Sequence, residues 1–255
     1  MAALKAFADD SSSDEVYVVA GYVSFVDVWD VFSGEWCEVL HQAPSISYFR
    51  NNEALGLKGE FANFKESDRN MKLARLAASI PNGDCWSIAS YLKRSDFEDL
   101  FVPNFNIAWN DPYYLCALNL VIRTAYLFDG ESLKIDFVFD EQGKVGKRFQ
   151  NMYEWHTKFV SKVIPLPTRP NMWGLFGKCS HENDRLFPSL QAVDMNAAWI
   201  RRRLSLIQRW TDADPYLARI KCYDFEVKRS FLAQLVEYQT NHLDEIQAFL
   251  KSVGD

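Results

Sequence analysis

The chain is poor in glycine, with 11 in 255 residues, and in histidine, with 4. Sparse glycine argues against a loop-dominated fold. There is no Gly-rich phosphate loop and no Gly-x-Ser-x-Gly elbow, so neither a P-loop nucleotide site nor an α/β-hydrolase site is indicated. The five cysteines (Cys37, Cys85, Cys116, Cys179, Cys222) are widely spaced and form no Cys-x-x-Cys pair. A reduced, cytoplasmic protein is the simplest expectation. The scattered His41, His156, His181 and His242 give no zinc-ligand spacing. No apolar run reaches about 18 residues, so no membrane-spanning helix is expected. A basic segment followed by an apolar one is also missing at the start, so no secretory leader is expected. Positive charge is in deficit: 28 basic against 34 acidic side chains give a net charge of −6. Bulk charge therefore excludes a non-specific polyanion binder, and any nucleic-acid role needs a local basic groove or bound cations.

Apolar side chains are plentiful at 48%, and the eight tryptophans belong to a 15% aromatic fraction. This length suits one sizeable core, and no internal repeat or flexible linker divides the sequence. A single domain is expected over 1–255, with a core at about 3–210 and a C-terminal helical extension at about 211–255. Residues 3–8 and 15–23 are strand-like, and the polar Asp9–Asp14 between them suggests a hairpin turn. Phe25, Val28, Trp29, Phe32, Trp36 and Leu40 recur at helical spacing. A short strand is expected at 46–50, a helix at 66–80 and a strand at 84–92. Pro112 opens a strongly apolar helix over 112–128, the expected buried central helix. Residues 133–141 (LKIDFVFDE with its flanks) form the clearest buried strand. A helix at about 144–162, a short strand near 171–177, a long helix at 188–210 and a final helical segment at about 224–252 complete the order. That order predicts an α/β fold: a mixed sheet with helices on both faces.

Three acidic positions stand at the ends of apolar elements. Asp9-Asp10 follow the first strand, and Asp140-Glu141 end the strongest one. Either pair also fits a solvated turn. Asp194 lies inside a small, apolar helical stretch, with Gln191 three residues earlier on the same face. A carboxylate buried there needs a partner or a metal, and a nearby arginine is the simpler partner. Carboxylates from a first strand, a central strand and a late helix can converge at one end of a sheet. Gathered carboxylates raise one another's pKa values, and divalent cations relieve the repulsion. Alternation along the strand puts Asp10 on the opposite face from Asp9, and Asp136 on the face of Asp140.

Taken in order, Ala8-Asp9-Asp10-Ser11, Phe139-Asp140-Glu141 and Leu190-Gln191-Ala192-Val193-Asp194 resemble the family called domain of unknown function 3800. That family is similar to the ribonuclease H-like superfamily. The stretch Tyr48-Phe49-Arg50-Asn51-Asn52-Glu53-Ala54, with Gly59-Glu60-Phe61 and Arg69 after it, is also similar to the family. The resemblance spans roughly residues 3–205. It implies a ribonuclease H-like fold and a nuclease that cleaves phosphodiester bonds with two Mg²⁺ or Mn²⁺ ions. Asp9 would bridge the ions, Asp140 and Asp194 would each complete one shell, and Glu53 would be the fourth ligand, with Glu60 as its substitute. The sequence departs from the pattern in Asp10, where a Glu is expected, and in the Ser-Ser-Ser turn. Those departures keep open a non-cleaving scaffold that binds nucleic acid or protein.

Basic clusters flank these positions. Arg201 is seven residues after Asp194, two turns on along the same face, and could hold a phosphate. Lys144, Lys147 and Arg148 follow Asp140. Arg201, Lys144 and Gln191 are the expected substrate contacts, although Arg201 to Arg203 also fit a solvated helix end. Trp109, Trp155, Trp173 and Trp199 fit core packing better than base stacking. The loop His181–Arg185 could bring His181 or Asp184 near the site, or simply be solvated. Apolar residues in the final helix could pair two copies of the chain.

Overall fold

A computed structural model describes residues 3–104, 110–129, 133–155, 157, 172–205 and 211–241. Six strands form one mixed sheet in the order β5-β4-β1-β2-β3-β6. β1 (Leu4–Ser12) and β2 (Val16–Phe25) make an antiparallel hairpin, and β3 (Cys85–Lys93) adds antiparallel to β2. β4 (Ile135–Asp140) lies parallel to β1, and β5 (Phe176–Glu182) parallel to β4. β6 (Cys222–Glu226) lies parallel to β3. The hairpin turn is tighter than the sequence suggests. β1 runs on through Asp9 and Asp10 to Ser12, and Ser13 makes the turn by accepting N–H bonds from Glu15 and Val16 on its Oγ. Gly21 faces Ala8 across the hairpin, and a Cβ there would stand 2.2 Å from the Phe7 carbonyl oxygen. Glycine thus lets β1 and β2 approach one residue before Asp9.

Strand alternation splits the core in two. On one face, Phe7, Val18, Ala20, Tyr22 and Val138 meet α1 (Val26–His41), α3 (Glu66–Ser79) and α7 (Pro188–Leu204). On the other, Ala6, Ala8, Val19, Phe137 and Phe139 meet α5 (Pro112–Leu127) and α6 (Gly143–Trp155). Helices on both faces explain why β2 is apolar along nearly its whole length. An aromatic chain runs from Phe7 through Trp29, Phe32 and Trp36 to Phe49 and Phe61, with successive ring centroids 4.9–6.2 Å apart. It fastens the segment after α1 to the sheet.

Several expectations are corrected. Residues 46–50 form no strand: the Phe49 N–H donates to the Gln191 side chain at 3.0 Å, not to a neighbouring strand, and Arg50 leads into α2 (Asn51–Gly56). The most enclosed helix is α7, not α5. Ser189 to Ile200 are buried apart from Asp194, because small Ala192, Ala197 and Ala198 admit neighbours and the buried amides are satisfied. The α7 helix stops at Leu204, with Ser205 as its C-cap. The segment after 211 is not all helix. Its Cys222–Glu226 stretch alternates with period two and forms the edge strand β6, so this segment contributes to the sheet. A short α8 (Asp214–Leu217) precedes it, and α9 (Arg229–Asn241) follows and packs on α4 (Arg94–Leu100). The 242–252 part of the expected dimer helix lies outside the described residues, as do Trp109, His156 and residues 158–162 of the expected 144–162 helix. Among the described residues, no helix is long and apolar enough to cross a membrane.

Candidate functional site

Asp9 and Asp140 come together because β1 and β4 are parallel neighbours. Ala8 pairs with Phe139, so Asp9 and Asp140 occupy the next register step. Both are on the face covered by α7, which crosses β1 and β2. Asp194 is the one residue of the enclosed part of α7 that opens to solvent. The three line a cleft of about 400 Å³ at the carboxyl ends of the strands, the usual place for a site in an open α/β sheet. Asp184, Arg50 and Arg201 line it too. Five aspartates against two arginines leave the cleft short of positive charge.

The electrostatics follow. Asp9 is 9% exposed and accepts one bond, from the Asp10 N–H at 2.7 Å on Oδ1. Burial, then the charges of Asp194, Asp140 and Asp10, push its carboxyl well above the ordinary carboxylate range. Asp194 is pushed up to about 7, chiefly by burial; the Asn51 N–H, 2.7 Å from its Oδ2, opposes that rise. Asp140 is pushed up to about 6 by burial and then by Asp184.

One half-buried ion pair borders the cleft. Arg50 donates from Nε to Asp184 Oδ2 at 2.5 Å and from Nη2 to Oδ1 at 2.6 Å, a bidentate pair. Asp184 is only 5% exposed, so the solvated-loop reading of this residue does not hold. The partners are 134 residues apart, and no local spacing signals the pair. No protein-family model, curated protein or solved structure matches the chain.

The other expected site residues fall elsewhere. Glu53 does not line the cleft: its Oε1 accepts from the Tyr48 hydroxyl at 3.2 Å and its Oε2 from the Glu60 N–H at 3.1 Å. It packs under Gly59, whose φ of +56° and missing Cβ make room for the carboxylate. Glu60 in turn accepts the Ser47 N–H. Gln191 is not a substrate contact but a buried tie. Its Oε1 accepts from Trp36 Nε1 and from the Phe49 N–H, both at 3.0 Å, and its Nε2 donates to the Asp184 carbonyl at 3.1 Å. Gln191 thereby clamps both segments that carry Arg50 and Asp184 onto α7. Lys144 is exposed on α6 and does not line the cleft. Asp136 accepts the Lys178 N–H at 2.7 Å. His181 lies on the opposite face, stacked on Phe139 with Nε2 3.1 Å from the Tyr113 hydroxyl, and burial pushes its imidazole down to about 4.

Three consecutive arginines take three directions, as about 100° per residue requires. Arg201 reaches the cleft, and its buried Nε has no hydrogen-bond partner among the described residues. Arg202 pairs with buried Asp214 at 3.0 Å. Arg203 pairs with Asp224 of β6 and lies over the Trp199 ring. The arginines are therefore not a plain solvated helix end. Trp199, 5% exposed, is packing.

Carboxylate oxygens are the donor type that hard divalent cations take. In kind, Asp9, Asp140 and Asp194 fit such an ion. Their arrangement is not a finished shell, since among the described residues no group of three or more His, Cys, Asp or Glu is placed to hold a metal.

Proposed function

We propose that the chain is a ribonuclease H-like nuclease that cleaves phosphodiester bonds with divalent cations. The observation that carries this is the meeting of Asp9, Asp140 and Asp194 in one cation-poor cleft beside Arg201. Three antiparallel strands followed by two strands parallel to the first support a ribonuclease H-like reading of the sheet, with β6 as an addition at its edge. Asp9, Asp140 and Asp194 would hold Mg²⁺ or Mn²⁺. The bound ions would activate water and stabilise the departing oxygen. Asp9 and Asp140, fixed on adjacent strands, set the spacing of the ligands. The Asn51 N–H orients the Asp194 carboxylate. Arg201 supplies a positive group beside the acids, which offsets the charge of an approaching phosphate. The substrate would be DNA or RNA, and a cytoplasmic setting accords with five free cysteines.

A second reading, a scaffold that binds nucleic acid or protein without cleaving, is favoured by two observations. Glu53 is turned away, and no three-ligand group is ready-formed among the described residues. Calorimetric titration with Mn²⁺ separates the two, comparing the native chain with Asp194→Asn and following both with cleavage assays on labelled single- and double-stranded DNA and RNA. Cation binding and cleavage that both disappear in Asp194→Asn support the nuclease. Absence of cation binding in the native chain, with and without nucleic acid, leaves the scaffold.

A further inference from the structure

We propose that Arg50, held by Asp184, forms with Arg201 a phosphodiester-binding subsite in the cleft. This rests on the function proposed above, because the anion it takes is the substrate's backbone. Arg50 lines the cleft and its side chain is 35% exposed, so it can meet a ligand. Two of its nitrogens are committed to Asp184, at 2.5 and 2.6 Å. The third, Nη1, makes no hydrogen bond among the described residues. The partner carboxylate is buried, and its backbone carbonyl is tied by Gln191. The guanidinium plane is therefore fixed from beneath by a rigid group, with its outer edge left over. Surface arginines lose side-chain entropy when they bind an anion; this one has lost much of it already.

Arg201 brings an independent observation. Its Nε is buried without an acceptor among the described residues. A buried donor left unpaired is costly, and Arg201, unlike Arg202 and Arg203, has no carboxylate partner among the described residues, so its guanidinium in the cleft is open to an anion. Two guanidinium edges on one cleft match the two non-bridging oxygens of a phosphodiester. The same cleft is lined by the carboxylates that would hold the cations, so phosphate and cations would meet in one place. Arg50 is thus a substrate-binding group, and Asp184 a positioning residue that acts through it.

The test uses two variants of the full chain. Arg50→Lys leaves a cation for Asp184 but no planar fork with a spare edge. Arg50→Gln combined with Asp184→Asn removes the pair without stranding a buried charge. Binding of fluorescently labelled single-stranded DNA and RNA is measured in Ca²⁺ across a salt series, with thermal melting to check the fold and Mn²⁺ calorimetry alongside. Arg50→Lys is expected to bind about ten-fold more weakly. The double variant is expected to show a log K against log salt slope shallower by about 0.7, one phosphate contact on a single strand. Mn²⁺ binding should persist in both. Folded variants with native affinity and native salt slope would overturn the subsite, as would a native chain that binds neither oligonucleotide. Weakened oligonucleotide binding in a chain that binds no Mn²⁺ would uphold the subsite and defeat the metal-dependent nuclease.

Discussion

Asp9 and Asp10 are chain neighbours, and the fold treats them differently. Asp10 faces the α5 side, where the Tyr17 hydroxyl donates to Oδ2 at 2.8 Å and Gln142 Nε2 to Oδ1 at 2.6 Å. Each of its oxygens has a neutral donor. Asp9 faces α7, receives one backbone N–H, and meets three other carboxylates whose charges raise its pKa. Burial raises both carboxyls; at Asp10 hydrogen bonds from Tyr17 and Gln142 offset part of the rise, to which Asp111 adds, while at Asp9 three like charges add to it. A buried carboxylate left under-satisfied beside others costs stability, and such a cost is characteristic of functional sites. Asp10 is used by the fold; Asp9 is left available to a ligand.

The largest effect that could break this contrast is on catalysis. Asp9→Asn should reduce cation-dependent cleavage by about 100-fold or more, exceeding the range of outer-shell changes, whereas Asp10→Asn should stay within about ten-fold. Single-turnover assays with matched proteins measure both; equal losses would erase the distinction.

Next in size is a stability effect on the polar tie beneath the cleft. Gln191→Leu strands the Trp36 Nε1 donor and the Phe49 N–H, and should cost about 2–4 kcal/mol in urea unfolding. A cost below about 1 kcal/mol would show that water replaces the amide.

The cleft acids should act in the opposite sense. Asp140 and Asp194 are raised to about 6 and about 7, and Asp9 is raised as well. Between the ordinary value of 3.8 and these values the folded state binds more protons than the unfolded one. Their contribution to stability is therefore full below about 3.8 and is lost as pH rises through about 6–7. In EDTA the melting temperature should include this decline, and Asp194→Asn should melt higher than the native chain at pH 8. Mn²⁺ should restore the native chain and leave Asp194→Asn unchanged. A lower melting temperature for Asp194→Asn in EDTA would contradict the cost of a charged carboxylate buried at this position.

The smallest effect is expected at Glu53. Its carboxylate caps the turn at Gly59–Phe61, so Glu53→Gln should cost about 0.5–1.5 kcal/mol and leave Mn²⁺ affinity within about two-fold. Loss of cation binding would return Glu53 to the ligand set.

Much of this contrast was legible before any coordinates. Period-two alternation separates Asp9 from Asp10, and a seven-residue interval puts Arg201 on the face of Asp194. The five strands of the β5-to-β3 sheet core include four that local apolar runs announce within a few residues. Less was legible where a polar residue does a structural task. Gln191 looks like a site residue and is a core tie; Glu53 looks like a ligand and is a turn cap. The edge strand β6 was hidden because five residues of alternation lie next to a longer helical pattern.

The sequence by itself determined most of the elements, their faces and the three aspartates on those faces, because strand and helix periods act over a few residues. Tertiary structure alone decided which of those polar groups would be satisfied. Arg50 finds Asp184 across 134 residues of chain, and Gln191 finds Phe49 across 142. Hydrogen-bond partners are chosen by packing in three dimensions, and local periodicity holds no record of that choice.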